Sequence, residues 1–282
     1  MYKEVFGFSI WTTIISICQR LIFNITPSIL AALTDSANIA IFGISSIIEG
    51  YVYIFASAIN GMFLPKVSRI ISKDSGHKEI LPLMIKIGRI QLLIIGLIVV
   101  GFISVGQSFI ILWMGQKYDL VYYCAIAMLI PSIISLTQEI ANTTVIADNK
   151  VKYQAYVFIS MAIVNIALSI IFTKYFGVVG ASLSIFIAYM VRTIGMNIIF
   201  YRKLHINVII FFKECHIKMG PALIITLLLG ILIDNFILID GWVGLLLKIV
   251  IIIIVYIVIT WLFAMNQYEK DLFAGTFKKI FQ

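Results

Sequence analysis

Charge is what this chain has least of. Only 12% of its residues are Asp, Glu, Lys or Arg, against about 25% in an average soluble domain. With 62% hydrophobic residues and a mean hydropathy of +1.08, this excludes a soluble globular protein, and no soluble domain is visible. Cysteine is scarce as well. Cys18, Cys124 and Cys215 form no pair motif, and Cys18 and Cys124 read as packing residues. The three histidines, His77, His205 and His216, sit in connections between apolar runs without ligand spacing, and read as solvated. There is no Gly-rich phosphate loop, no nucleophile elbow and no metal signature, so nothing supports an enzyme, a cofactor or a metal. Ten-residue alternating strands are missing, which excludes an outer-membrane barrel. A cleavable signal is excluded by Arg20, Asn24 and Pro27 inside a first apolar run that is too long.

What is present is a series of long apolar runs. Eight reach the length of a bilayer span, which takes about 20 residues: 5–33, 38–61, 83–107, 121–145, 153–174, 178–201, 217–238 and 242–264. The fold class is therefore all-α, a polytopic membrane protein of about eight transmembrane helices. Of the 21 Lys and Arg, 16 fall on one side of these runs, two on the other and three within them. That is the positive-inside pattern, and it places both termini in the cytoplasm. It also accounts for the net charge of +8 without nucleic acid. Pro131 is expected to kink span four. Gly177 with Gly180-Ala181 suits a tight turn and close helix packing. Spans seven and eight are almost unbroken aliphatic sequence and read as lipid-facing accessory helices. Lys248, near the outer end of span eight, is expected to snorkel. The tail 266–282 has Phe273, Phe277 and Phe281 at a spacing of four, with Lys270, Lys278 and Lys279. It reads as an amphipathic helix on the anionic inner leaflet, so the bilayer is a partner.

The chemistry lies in the few polar residues inside the spans. Arg20 and Glu49 stand at matching depths on either side of the Thr34-Asp35-Ser36 turn. A charge at mid-membrane costs about 3 kcal/mol or more, so each needs a partner or an aqueous cavity. Ser46, Glu49, Tyr53, Ser57 and Asn60 fall on one helical face of span two. Thr13, Ser16, Arg20, Asn24 and Pro27 do so in span one, and Ser132, Ser135, Gln138, Glu139 and Asn142 in span four. Spans five and six add Asn165, Ser169, Ser184, Arg192 and Asn197. Glu139 and Arg192 differ in depth by about 6 Å at about 1.5 Å per residue, close enough to pair. Two readings stand. Either Arg20 with Glu49, and Glu139 with Arg192, are ion pairs that fix helix register, or Arg20, Glu49, Asn24, Tyr53, Asn60, Glu139 and Arg192 line a cavity. In the second case the arginines suit phosphate, and the carboxylates suit H⁺ or Na⁺.

Several segments carry a resemblance. Gln19-Arg20-Leu21 with Pro27, Phe63-Leu64-Pro65-Lys66-Val67-Ser68-Arg69, Leu112-Trp113-Met114-Gly115-Gln116-Lys117-Tyr118, and Phe176-Gly177-Val178-Val179-Gly180-Ala181 are similar to bacterial O-antigen and polysaccharide flippases. So is Asn165 followed by Ala167-Leu168-Ser169-Ile170. These are the Wzx-type members of the multidrug/oligosaccharidyl-lipid/polysaccharide exporter superfamily. The resemblance covers about residues 5–205. It implies a protein of 12 to 14 spans in two six-helix bundles, of which residues 1–205 match the second. Residues 206–265 are then two accessory helices and 266–282 the cytoplasmic tail, and a missing N-terminal half is a partner. The implied activity is translocation of undecaprenyl-pyrophosphate-linked oligosaccharide, the repeat unit of a polysaccharide or lipopolysaccharide, across the bacterial cytoplasmic (inner) membrane. A cation gradient would drive it. Two alternatives are half of a multidrug-type small-molecule exporter and a truncated remnant without transport.

Overall fold

The computed structural model describes residues 2–60, 64–71, 76–237 and 239–280. The chain is an all-α polytopic membrane protein. Seven helical stretches among the described residues are long and apolar enough to cross a membrane. The longest, α7 (Val151–Leu204), is interrupted at Gly177, whose φ of 57° and ψ of −135° are not helical. It is therefore two segments joined by one glycine, so the described residues hold eight segments of crossing length and composition, the number its hydropathy predicts. Gly180 completes the turn. A side chain there would strike the Phe172 carbonyl, so the two halves of α7 approach backbone to backbone.

The first hairpin is α1 (Tyr2–Leu33) and α2 (Ser36–Asn60). Its tip is capped by Asp35, whose Oδ1 accepts from the Asn38 backbone N–H and from Asn38 Nδ2, both at 2.9 Å. The backbone bond is the main reason the Asp35 carboxyl lies below the usual carboxylate range. Asn38 Oδ1 in turn accepts from the Val178 N–H at 3.3 Å, which clips this hairpin to the bend at Gly177. α1 packs along α7 and α2 against α5 (Leu120–Thr137). Buried Phe42, Met128 and Phe200 belong to the core between them.

Span four is interrupted beyond its proline. The helix holds Pro131 within it and breaks at Gln138 (φ −102°, ψ 10°), resuming as α6 (Glu139–Ala147). Gln138 Nε2 donates to Asn197 Oδ1 on α7 at 2.8 Å, a bond that compensates for the local loss of regular helix. Span three is longer than its apolar run. α4 (Gly76–Met114) continues through the basic stretch before it, without a separate interfacial helix. A short helix, α3 (Leu64–Ile71), precedes it.

The trailing helices, α9 (Lys218–Phe236) and α10 (Gly241–Ile259), pack on α4 and on each other. Tyr256 Oη donates to the Leu93 carbonyl at 2.7 Å. Before α9 stand a single helical turn, α8 (Val208–Phe212), and a π-helical turn at Lys213–Ile217. A second π turn, Thr260–Ala264, follows α10. Between the two π turns lies Arg89 of α4, with 5% of its surface exposed. Its Nε and Nη2 donate to the carboxylate of Glu269 at 2.5 and 2.9 Å. Nη1 donates to the Glu214 carbonyl at 2.8 Å and Nη2 to the Ala264 carbonyl at 2.7 Å. Each acceptor carbonyl belongs to one of the π turns. Glu269 also caps its own helix, α11 (Gln267–Ile280). Its backbone N–H donates to Asn266 Oδ1, and its carboxylate accepts from the Asn266 N–H, both at 2.9 Å, a reciprocal capping box.

One reading of the sequence is corrected here and another gains a partner. Lys248 reaches toward the outer end of α9. It bonds Asp234 Oδ1 at 2.8 Å and the Asp234 carbonyl at 3.0 Å, because α9 brings a carboxylate within reach across the outer turn. His216 is not solvated. It lies against Phe211 and Phe212, with Nε2 3.2 Å from Thr137 Oγ1, because the π turn rotates it into the α4–α5 seam. The side chains of His77 and of residues 274–282 lie outside the described residues. Tyr268 and Phe273 on α11 touch the bundle, Tyr268 through Lys86 3.6 Å above its ring.

Candidate functional site

The polar faces of α1, α2, α5, α6 and α7 converge on one cavity of about 700 Å³. Six of the seven candidate residues line it: Arg20, Asn24, Glu49, Tyr53, Glu139 and Arg192. The side chain of Asn60 lies outside the described residues. Helical spacing explains the convergence. Ser16, Arg20 and Asn24 recur every turn on α1, and Ser46, Glu49 and Tyr53 do so on α2. The break at Gln138 extends the lining. Ser132 and Ser135 precede it, Glu139 and Asn142 follow it, and all four reach the cavity.

Neither ion pair weighed from the sequence forms a salt bridge among the described residues. Arg20 is exposed at the cavity, and its side chain makes no salt bridge there. Glu49, with 6% of its surface exposed, is set into the wall. Its Oε1 accepts from Ser132 Oγ at 3.0 Å. Glu139 Oε1 accepts from Asn142 Nδ2, also at 3.0 Å. Arg192 lines the same cavity as both carboxylates. Its guanidinium lies 4.6 Å from the Tyr189 ring centroid and 6.0 Å from that of Phe158, a cation–π seat. All four charged residues face the same cavity, and the hydrogen bonds of the carboxylates come from Ser132 and Asn142 instead.

The cavity has residues that the polar stripes did not single out. Tyr189 stands three positions before Arg192, one helical turn away, which is a readable signal. Gln154, Phe158 and Thr193 carry no such mark. The amide oxygen of Gln154 and the hydroxyl of Thr193 are buried without a hydrogen-bond partner. Asn165 and Ser169 do not reach the cavity. Asn165 Oδ1 accepts from Thr26 Oγ1 at 3.3 Å in the α1–α7 seam, and Ser184 Oγ donates to the Gly180 carbonyl within α7.

No protein-family model matches the chain, and no curated protein matches it either. Among solved structures, the lipid II flippase MurJ in an inward-closed conformation matches with a TM-score of 0.68 at 18% identity. The likeness is one of fold. The match covers 90% of this chain and 52% of that one, so this chain spans about half the length of the flippase it resembles. α9 and α10 contribute nothing to the cavity lining among the described residues.

Proposed function

We propose that this chain is one bundle of a flippase that moves lipid-linked oligosaccharide precursors across a bacterial cytoplasmic membrane. Residues 1–205 form the second of two six-helix bundles, residues 206–265 are accessory, and 266–282 are a cytoplasmic tail. Both termini face the cytoplasm, as the distribution of Lys and Arg supports. The substrate is of the undecaprenyl-pyrophosphate-linked polysaccharide or O-antigen type, and its translocation is coupled to H⁺ or Na⁺.

The observation that carries this reading is Arg20, an arginine without a salt bridge on a polar cavity wall at mid-span. A cation in that position is stabilised by an anion that comes and goes, and a diphosphate matches a guanidinium fork. The open side of the cavity takes the other bundle, without which no enclosed path exists. The fold of a lipid II flippase supports the same class of substrate. An exporter of small cations would use Glu49 and Glu139 with the aromatic rings of Tyr189 and Phe158. Here Arg192 already occupies those rings, which disfavours that reading.

The test is rescue of a strain lacking its polysaccharide flippase by the complete gene, with the other bundle coexpressed where a separate gene encodes it. One charge-assisted hydrogen bond contributes about 1.5–3 kcal/mol, or about ten- to a hundredfold in binding. Arg20→Ala should lower rescue by that order, and Glu49→Gln should lower it by impairing coupling. Full rescue by both variants at parental expression rules the proposal out.

A further inference from the structure

Away from the cavity, the two ends of α7 meet. Lys150 Nζ donates to the Lys203 carbonyl at 2.5 Å, and Lys203 Nζ lies 4.5 Å from the Tyr153 ring centroid. His205 closes the helix at a φ of 53°, its N–H donating to the Phe200 carbonyl. Tyr201, Arg202, Lys203, His205 and Asn207 line an open pocket of about 660 Å³ at this elbow. None of the five lines the large cavity. We propose that the elbow binds one anionic phospholipid, with Arg202 and Lys203 taking its phosphate and its acyl chains covering Ile209 and Ile210. The inference goes beyond translocation, since this lipid is a resident of the elbow and not the cargo.

Charge selects an anion. The pocket has an arginine and a lysine in its lining and no acid. Among the described residues neither cation forms a salt bridge. The acids on the adjoining segments are already taken. Asp148 pairs with Lys150 at 2.7 Å and Glu214 with Lys218 at 2.5 Å. A guanidinium beside an ammonium is stabilised by a phosphate, which the guanidinium fork meets with two parallel hydrogen bonds. Tyr201 Oη and Asn207 Nδ2 add neutral donors to the lining. Asn207 Oδ1 is engaged elsewhere, accepting from the Ile210 N–H at 3.1 Å.

Depth and apolar surface select a lipid over free phosphate. The helical stretch Val208–Phe236 has 29 residues, or about 43 Å at about 1.5 Å per residue. The hydrocarbon core of a bilayer takes about 30 Å, and about 40–45 Å includes the headgroups. The first turn of this stretch therefore stands at headgroup depth. Ile209 and Ile210 on that turn have 77% and 43% of their surface exposed. Exposed isoleucines directly after a pair of cations match the two parts of one phospholipid, its acyl chains and its charged headgroup. The volume suits a single occupant, since sites for one small molecule run to about 300–1,000 Å³.

The test is native mass spectrometry of the purified chain in detergent, titrated with dioleoyl-phosphatidylglycerol or dioleoyl-phosphatidylcholine. The parent should hold one phosphatidylglycerol, and phosphatidylcholine about tenfold more weakly, because only the first carries net charge. Arg202→Gln combined with Lys203→Gln should weaken phosphatidylglycerol about ten- to a hundredfold through lost charge-assisted hydrogen bonds. Arg202→Lys should lose less than Arg202→Gln, since it keeps the charge without the fork. Lys117→Gln removes an exposed cation elsewhere and should leave the affinity as in the parent. Excess inorganic phosphate should not displace the lipid. Parental affinity in the double variant overturns the proposal, as does equal affinity for the two lipids. Equal weakening by Lys117→Gln overturns it too, by showing diffuse attraction, and displacement by phosphate does so by showing a free-anion site. If the double variant melts below the parent, Arg202→Gln alone decides, since Arg202 is exposed. No lipid-linked oligosaccharide enters the measurement, so a failed flippase rescue leaves this site standing, and a failed titration leaves translocation standing.

Discussion

Glu269→Ala should destabilise the protein by about 3–5 kcal/mol, the usual cost of removing one partner from a buried ion pair. The acid has 1% of its surface exposed, and its partner Arg89 has 5%. Without Glu269 the guanidinium keeps its two backbone acceptors but no counter-charge. The capping box of α11 is lost at the same time, a further cost of about 1 kcal/mol. Arg89→Ala should cost about as much for the reciprocal reason, leaving a buried carboxylate. The informative comparison is Arg89→Met with Glu269→Leu. Replacing both partners by apolar groups of similar size is often nearly neutral, so the double variant should recover much of what either alanine variant loses. Unfolding midpoints in detergent micelles supply the measurement. Equal losses in single and double variants would mean that the π-turn carbonyls, not Glu269, account for the stability at Arg89.

Gly180→Leu should be comparably damaging, at about 3 kcal/mol, the upper end of the overpacking range. The obstacle is the Phe172 carbonyl rather than a flexible side chain, so relief requires the two halves of α7 to separate. That movement strains the Asn38 bond to Val178 and the α1–α2 tip with it. Gly177→Ala adds backbone strain at a φ of 57°, of order 1–3 kcal/mol. Gly43 in α2 is the control, since a Cβ there meets nothing within 4 Å. Gly43→Ala should be neutral or stabilise by a few tenths of a kcal/mol to about 1 kcal/mol through helix propensity. Melting of Gly180→Leu together with Gly43→Ala would show that the contact at the turn is soft.

Much of the fold could be read before any coordinates. Apolar run length specified the crossing segments, because lipid forces every backbone group into internal hydrogen bonds. Gly177 marked the turn within α7, since few other residues adopt its dihedrals. The cavity lining was legible for the same reason: Arg20, Glu49, Glu139 and Arg192 cannot face acyl chains cheaply. Partner choice was not legible. Nothing in the sequence near Arg89 points to Glu269, 180 positions away. The break at Gln138 was also hidden, since Pro131 was the stronger signal. Both depend on contacts between distant segments, which spacing along one helix does not encode.

All three thiols of the chain are buried and unpaired. Cys18, Cys124 and Cys215 have 6%, 1% and 0% of their surface exposed, so a bulky maleimide reaches none of them while the fold persists. The parent is thus already a silent background for thiol mapping. A cysteine introduced at Ser16 or Asn24 would report directly whether water reaches the middle of α1, with no native cysteine to remove first.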